Sequence, residues 1–216
     1  MILRILERDK INYFLPTFTL DVNQIALRDP TTWPSEMNGL AEFEWNYFHL
    51  KKVELCVTPE TTNEITQQTP ISDLAVVAYN RFQKSQLFKS RPPGATLNLT
   101  NQDSRKLWTG IRHILWPKVD DPDLTPNQKA DVNQVFFHTV ASGSLENSAF
   151  ITIDHNFYDH AAELSSQLGI RILKPFDAWA EYEPTFNLYT PSDQEIKSLW
   201  NDQHLLFQRL RDEANK

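Results

Sequence analysis

The sequence contains one cysteine, Cys56, in 216 residues. A single cysteine cannot form an intramolecular disulfide, and it cannot supply a cysteine cluster for zinc. Cys56 lies in an apolar run that is typical of a strand. We therefore expect a reducing compartment, and we predict a cytoplasmic protein.

The sequence also lacks a long hydrophobic run. No apolar stretch approaches the ~18 residues that a membrane-spanning helix needs. Residues 1–6 are too few for the core of a signal peptide, and charged residues follow them. We expect no membrane partner.

Basic residues are fewer than acidic ones, 21 against 28, and the net charge is −7. Phosphate affinity comes largely from Lys and Arg, so this balance argues against a general nucleic-acid coat protein but not against a local basic groove. Two clusters are candidates for such a groove, and each is also typical of a solvated helix face. The first contains Arg81, Lys84, Lys89 and Arg91, and the second contains Arg105, Lys106, Arg112 and His113 near Trp108 and Trp116.

The residues that are present suit a folded soluble protein, with 40% hydrophobic and 23% charged residues. Hydrophobic patterns predict strands that alternate with helices, which is typical of a parallel sheet with helices on both faces. The predicted strands are residues 18–20, 53–57, 150–153 and 170–173. The predicted helices are a helix of about 15 residues after Ser35, one starting at Thr58, and residues 72–88, 104–115, 131–141 and 161–168. Gly143 is the predicted stop of the helix at 131–141, and Gly169 is the predicted cap of the helix at 161–168.

Two regions stand apart from this alternation. Prolines interrupt residues 90–126, which we interpret as an insertion near the site. Ser192 to Glu195 form a capping box before an amphipathic helix, which would pack on its own domain or dock a partner or a second copy of the chain. We predict a domain over residues 1–180 and a helical extension over residues 181–216.

Four acidic residues stand at element boundaries of this pattern. Asp21 follows the first strand, Glu64 lies behind the second, Asp131 opens a helix, and Asp154 ends the third strand. Ligands of parallel sheets bind outside the carboxyl ends of the strands. Two charges 4 Å apart interact by about 4 kcal/mol at an effective dielectric of 20, so converging carboxylates must take up protons or bind cations. Oxygen ligands favour Mg²⁺ or Mn²⁺.

Alternative interpretations remain for three of the four acids. Asp21 could be a turn or capping residue. Glu60, one helical turn before Glu64, could replace it or complement the helix N-terminus. Asp131 could simply be an acid at a helix start, stabilised by the helix dipole.

Several segments together resemble the PIN-domain ribonucleases. Leu20-Asp21-Val22-Asn23 is similar to the opening motif of the family, and the segment from Thr58 to Glu64 is similar to its strand-helix unit. The other similar segments are Ala130-Asp131-Val132, Thr152-Ile153-Asp154-His155-Asn156-Phe157, and the closing strand that ends at Pro175. The resemblance covers roughly residues 14–180, without residues 90–126.

The resemblance implies a three-layer α/β/α sandwich with a mostly parallel sheet. It implies a metal-dependent endoribonuclease in which Asp21, Glu64, Asp131 and Asp154 hold Mg²⁺ or Mn²⁺ and an activated water cleaves RNA, leaving 5′-phosphate and 3′-hydroxyl ends. Supporting roles would fall to Asn23, Thr152 and Asn156, the last of which stands where many members carry another acid. Toxin-type members of the family imply an antitoxin or other protein partner, or a homodimer.

Two other interpretations remain open from the sequence. The first is a catalytically inactive PIN-like scaffold that binds RNA or protein. The second is a phosphotransferase of the haloacid-dehalogenase type, which also begins with a strand that ends in Asp. That family has a second Asp two residues later, where this chain has Asn23, and its paired acids would have to be Asp120 and Asp121.

Overall fold

Four short strands form one parallel sheet in the computed structural model, which describes residues 15–25, 35, 38–67, 100–141 and 147–214. The strands lie in the order β2-β1-β3-β4 and span Thr17–Leu20 (β1), Glu54–Cys56 (β2), Ser148–Ile151 (β3) and Ile172–Leu173 (β4). All three strand pairs are parallel, with Thr17 opposite both Glu54 and Ser148. The predicted α/β class is confirmed.

Helices connect the strands, as parallel pairing requires. They are α1 (Val22–Ile25), α2 (Leu40–Trp45, continued by a π-helical turn Asn46–Leu50), α3 (Pro59–Gln67), α4 (Asn101–Leu115), α5 (Pro126–Ala141), α6 (His155–Tyr158), α7 (Ala161–Leu168), α8 (Pro175–Phe186) and α9 (Asp193–Ala214).

Capping residues explain several of these boundaries. Thr58 Oγ1 accepts a hydrogen bond from Thr61 N at 3.1 Å and so begins α3. Gly169 ends α7 at a φ of 69°, as predicted. Ser192 and Glu195 form the predicted capping box at the start of α9.

Two apolar clusters use alternate residues of the strands. Phe18, Leu20 and Ile151 belong to one cluster, together with residues of α2 and α8. Phe150 and Ile172 belong to the other, together with residues of α4, α5 and α7. Because successive strand side chains point to opposite faces, both faces of the sheet are covered.

The structure corrects several predicted boundaries. Helix α5 begins at Pro126, so Asp131 lies in its second turn and does not open it. Strand β3 ends at Ile151, so Asp154 follows the strand by three residues. Helix α2 begins at Leu40 after Gly39, rather than at a Ser35 cap, because Gly39 adopts a φ of 96° that a non-glycine residue disfavours.

The insertion and the extension are more integrated than the sequence indicates. Leu107 and Ile111 of α4 pack in the same cluster as Phe150, so part of residues 90–126 belongs to the core. The predicted boundary at residue 180 falls inside α8. Leu199 and Trp200 of α9 pack against Ala41, which agrees with packing of this helix on its own domain.

Some predictions lie outside the described residues. These are the helix at residues 72–88, the first basic cluster, and Gly143 as a helix stop. Across the helices that the structure does describe, none combines the length and the apolar character needed to span a bilayer.

Candidate functional site

The site lies at the carboxyl edge of the sheet, between β1 and β3. The connection from β1 leads to β2 on one side, whereas the connection from β3 leads to β4 on the other side. Such a switch point leaves a crevice at the strand ends, where α/β proteins bind ligands. Asp21 follows β1 directly, and Thr152 follows β3 directly.

Asp21 is almost completely buried, with 2% of its surface exposed. Its Oδ1 accepts a hydrogen bond from Val22 N at 2.7 Å, and its Oδ2 accepts one from Thr152 Oγ1 at 2.8 Å. Its own backbone N donates to Ile151 O at 3.1 Å, which extends the pairing of β1 and β3. The carboxylate is therefore held between the two central strands.

Thr152 connects Asp21 to Asp154. While its hydroxyl donates to Asp21, the same oxygen accepts a hydrogen bond from Asp154 N at 2.9 Å. Asp154 Oδ1 then accepts from Asn156 N at 2.8 Å and caps α6. Asp154 thus has a structural role as a helix cap through Oδ1, and within the described part of the chain no hydrogen bond occupies its other carboxylate oxygen.

Asp131 approaches the same region from α5. Burial raises the pKa of Asp131 from 3.8 to about 7, and the charges of Asp154, Asp21 and Glu64 raise it too. Burial also raises the pKa of Asp21 to about 7, against the hydrogen bonds from Thr152 and Val22, which lower it. The charges of Glu64 and Asp154 add to the rise at Asp21. The fold therefore brings the four predicted acids close enough for their charges to interact.

The structure also distinguishes Glu64 from Glu60. Glu64 is exposed on α3, and its charge acts on both Asp21 and Asp131. Glu60 is hydrogen-bonded to Asn133 of α5, and burial raises its pKa. Glu64 is therefore the glutamate that faces the two aspartates, whereas Glu60 connects α3 to α5.

The carboxylates are near one another but do not form a complete set of metal ligands within the described structure. Among the residues that the structure describes, no three His, Cys, Asp or Glu side chains are arranged to hold one metal ion. The donor chemistry nevertheless suits a hard divalent cation, since all four acids offer oxygen ligands and the charges of neighbouring acids raise the pKa of Asp21 and of Asp131. A bound cation would relieve that repulsion.

The two predicted supporting asparagines contribute differently. Asn156 is exposed, and the contact that it makes with Asp154 comes from its backbone N–H. Asn23 lies in α1, but its side chain is outside the described part of the structure.

Sequence reasoning missed a set of buried polar residues beneath the site. Thr19 Oγ1 and His138 Nδ1 are 2.8 Å apart, and burial lowers the pKa of His138 to about 3, so the imidazole is neutral. Thr19 is two residues before Asp21 on a strand, and His138 is seven residues after Asp131 on a helix. Both spacings place a residue on the same face as the acid, so the sequence could have indicated Thr19 and His138.

Two buried glutamines lie on the elements that carry the acids. Gln24 of α1 is 0% exposed, and neither of its amide atoms has a hydrogen-bond partner within the described structure. Gln134 of α5 is 2% exposed, and its Oε1 also lacks a partner there. Buried polar atoms of this kind are uncommon in folded proteins.

In the second basic cluster, Arg112 is committed within the fold and is not a free surface cation. Arg112 is buried, with its Nε 2.6 Å from Asp121 Oδ1, although the N–H direction is poor for a hydrogen bond. Its Nη1 donates to Val119 O at 3.0 Å. Asp120 and Asp121 lie between two helices. The phosphotransferase interpretation would need these two acids to follow a strand.

Comparison with models of protein families, with curated proteins and with solved structures finds no match for this chain. The geometry of the site is therefore the basis for any statement about function.

Proposed function

We propose that this protein is a metal-dependent endoribonuclease with a PIN-like, three-layer α/β/α fold. The observation that supports the proposal is the convergence of Asp21, Glu64, Asp131 and Asp154, which interact through their charges at the switch point of a parallel sheet. Excess negative charge of this kind is stable only with protons or a cation.

The acids would have distinct tasks in such a site. Asp21 is buried and fixed by two hydrogen bonds, which suits a ligand that sets the position of an ion. Asp131 and Glu64 come from two helices and would complete the ligand set. When bound, Mg²⁺ or Mn²⁺ would neutralise charge on a phosphate oxygen and lower the pKa of a water molecule for attack on the phosphodiester.

Thr152 would act as a positioning residue in this scheme. Its hydroxyl bonds to Asp21 and to the backbone of Asp154, so it fixes the separation of two ligand segments from neighbouring strands. A carboxylate that is already in place loses little entropy when a cation binds.

The decisive experiment compares the parent with Asp154→Asn. We expect Mn²⁺ binding in calorimetry and metal-dependent cleavage of single-stranded RNA by the parent, and loss of cleavage in the variant without loss of folding. Asp159→Asn is the matched control, because Asp159 is an exposed acid five residues away that does not contribute to the raised pKa of either aspartate. An Asp154→Asn variant that cleaves as well as the parent would refute the proposal.

A second candidate function is a PIN-like scaffold without catalytic activity that binds RNA or protein. The observation that favours it is that, among the described side chains, no group of three stands at metal-binding distances. Calorimetry separates the two candidates: absence of Mn²⁺ binding by the folded parent would favour the scaffold.

A toxin role in the cytoplasm is a further part of the proposal. It requires a protein antitoxin that blocks the acidic site. Growth arrest on expression of the parent, but not of Asp154→Asn, would support this role, and normal growth with active nuclease would contradict it.

A further inference from the structure

Two exposed aromatic rings and one cation lie on the segments that follow β3 and β4 at the carboxyl edge of the sheet. Tyr158 and Phe176 are 36% and 54% exposed. The ammonium of Lys174 lies over the ring of Tyr158, 4.1 Å from its centroid. We refer to Tyr158, Lys174 and Phe176 as the aromatic-cation surface.

Backbone hydrogen bonds connect the segments of Tyr158 and Lys174 to the strand end that carries Thr152 and Asp154. Tyr158 N donates to Asp154 O at 3.0 Å, so Tyr158 is one helical turn after Asp154. Lys174 directly follows Leu173, whose carbonyl accepts from Thr152 N at 3.0 Å. Both segments are thus attached to the strand end that carries Thr152 and Asp154.

The charge of Lys174 is available for a ligand. Two other cations of the described structure are committed, since Arg112 pairs with Asp121 and Arg171 pairs with Glu181. Lys174 forms no ion pair with any residue that the structure describes, although the exposed acids Asp159 and Asp177 are nearby in sequence. The Tyr158 ring attracts the ammonium and leaves its N–H groups free to bind an anion.

We propose that the aromatic-cation surface binds one nucleotide of single-stranded RNA beside the acidic site. This inference rests on the proposed function. Lys174 would bind a backbone phosphate, Phe176 would stack on an unpaired base, and Tyr158 would hold Lys174 in position.

Charge complementarity explains why a nuclease of this composition would need such a surface. The chain has a net charge of −7, and its candidate site consists of carboxylates that repel phosphate. A cation attached to the same strand end offsets that repulsion locally. Exposed rings stack on bases of any sequence, but only on bases that are not already paired in a duplex.

The test measures binding of a short fluorescent oligouridylate by anisotropy, with Asp154→Asn as the background so that RNA is not consumed. We expect Phe176→Ala to weaken binding about 5- to 150-fold, the range for loss of one base-aromatic stack. Lys174→Ala should reduce the slope of log affinity against log salt by about 0.7, the value for one phosphate contact to a single strand. Lys174→Arg should retain the slope.

Tyr189→Ala and Lys197→Ala are the matched controls. Tyr189 is 42% exposed, but it lies two residues after Asn187, whose carbonyl accepts a hydrogen bond from Lys52 on the amino side of β2. Lys197 is an exposed lysine of α9. Both controls should bind RNA as the background protein does.

Three results would overturn the inference. The first is an unchanged affinity for RNA in Phe176→Ala and Lys174→Ala. The second is an equal loss of affinity in the two control variants. The third is an equal loss of affinity for duplex RNA in Phe176→Ala, which would exclude base stacking. Binding of RNA without cleavage by the parent would contradict the proposed nuclease alone. Cleavage with unchanged affinity in the surface variants would contradict this inference alone.

Discussion

The hydroxyl of Thr152 is the smallest group that connects the strands of the candidate site. It is completely buried, and it donates to Asp21 Oδ2 while it accepts from Asp154 N. One oxygen therefore satisfies two polar groups that would otherwise be poorly solvated. The cost of removing a partner from a buried polar group is about 1–3 kcal/mol.

Thr152→Val should therefore destabilise the protein. Valine keeps the branched shape but leaves the Asp154 N–H and Asp21 Oδ2 without this partner, so we expect a loss of about 1–3 kcal/mol in the free energy of unfolding. The pKa of Asp21 should also rise further, because the hydrogen bond from Thr152 lowers it. Urea unfolding at neutral pH measures the first effect. Thr152→Ser keeps the hydroxyl and should lose much less, and an equal loss in both variants would assign the effect to packing.

At the scale of elements, Asn133 connects three helices. Its Oδ1 accepts a hydrogen bond from Trp108 Nε1 of α4 at 2.8 Å, and its side chain also bonds to Glu60 of α3. Asn133 itself belongs to α5, the helix that carries Asp131, whereas Glu64 belongs to α3. One amide thus links the two helices that carry the candidate ligands Asp131 and Glu64.

We expect Asn133→Ala to cost about 1–3 kcal/mol of stability, because it removes the partner of a partly buried indole N–H and of Glu60. In the active protein, cleavage should fall more than the loss of folded protein explains, since α3 and α5 lose this hydrogen-bonded connection. Asn127→Ala is the control, because Asn127 is exposed on the same helix and should change stability by less than about 0.5 kcal/mol. Equal behaviour of the two variants in urea unfolding would contradict the role of Asn133.

For the whole molecule, the acidic site couples stability to pH and to metal. Folding raises the pKa of Asp21 from 3.8 to about 7, so the folded state holds this proton more tightly than the unfolded state. Such a group stabilises the protein fully below pH 3.8, and this contribution is lost as the pH rises towards 7 and above. A shift of about 3 pH units corresponds to at most about 4 kcal/mol.

The prediction is a comparison of metal-free parent with Asp21→Asn across this pH range. The variant cannot ionise, so its free energy of unfolding relative to the parent should increase between pH 4 and pH 7. Mg²⁺ or Mn²⁺ should stabilise the parent at pH 7 and have little effect on the variant. Asp123→Asn, a change at an exposed acid outside the site, should follow the parent. If the free energies of unfolding of the parent and of Asp21→Asn changed in parallel with pH, the coupling would be disproved.

Much of the fold was predictable because its signals are local. Apolar runs at β1 and β2, the Thr58 cap and the Gly169 stop depend on residues within a few positions of one another. The start of α5 was predicted wrongly because residues 126–130, of which Asn127, Gln128 and Lys129 are polar, carry no apolar periodicity, although Pro suits the first helical turn. Strand β3 was placed two residues late because Thr152 and Ile153 continue its apolar and β-branched pattern after its pairing has ended.

The sequence by itself determined the α/β class, the order of strands and helices, and four acids at or near element boundaries. Only the tertiary structure decided that the crevice lies between β1 and β3, that Glu64 rather than Glu60 faces the aspartates, and that Thr152 joins Asp21 to Asp154. The reason is physical. Helix and strand patterns arise from neighbours along the chain, whereas burial, charge coupling and hydrogen bonds across 131 residues arise from strand order and register, which no local pattern specifies.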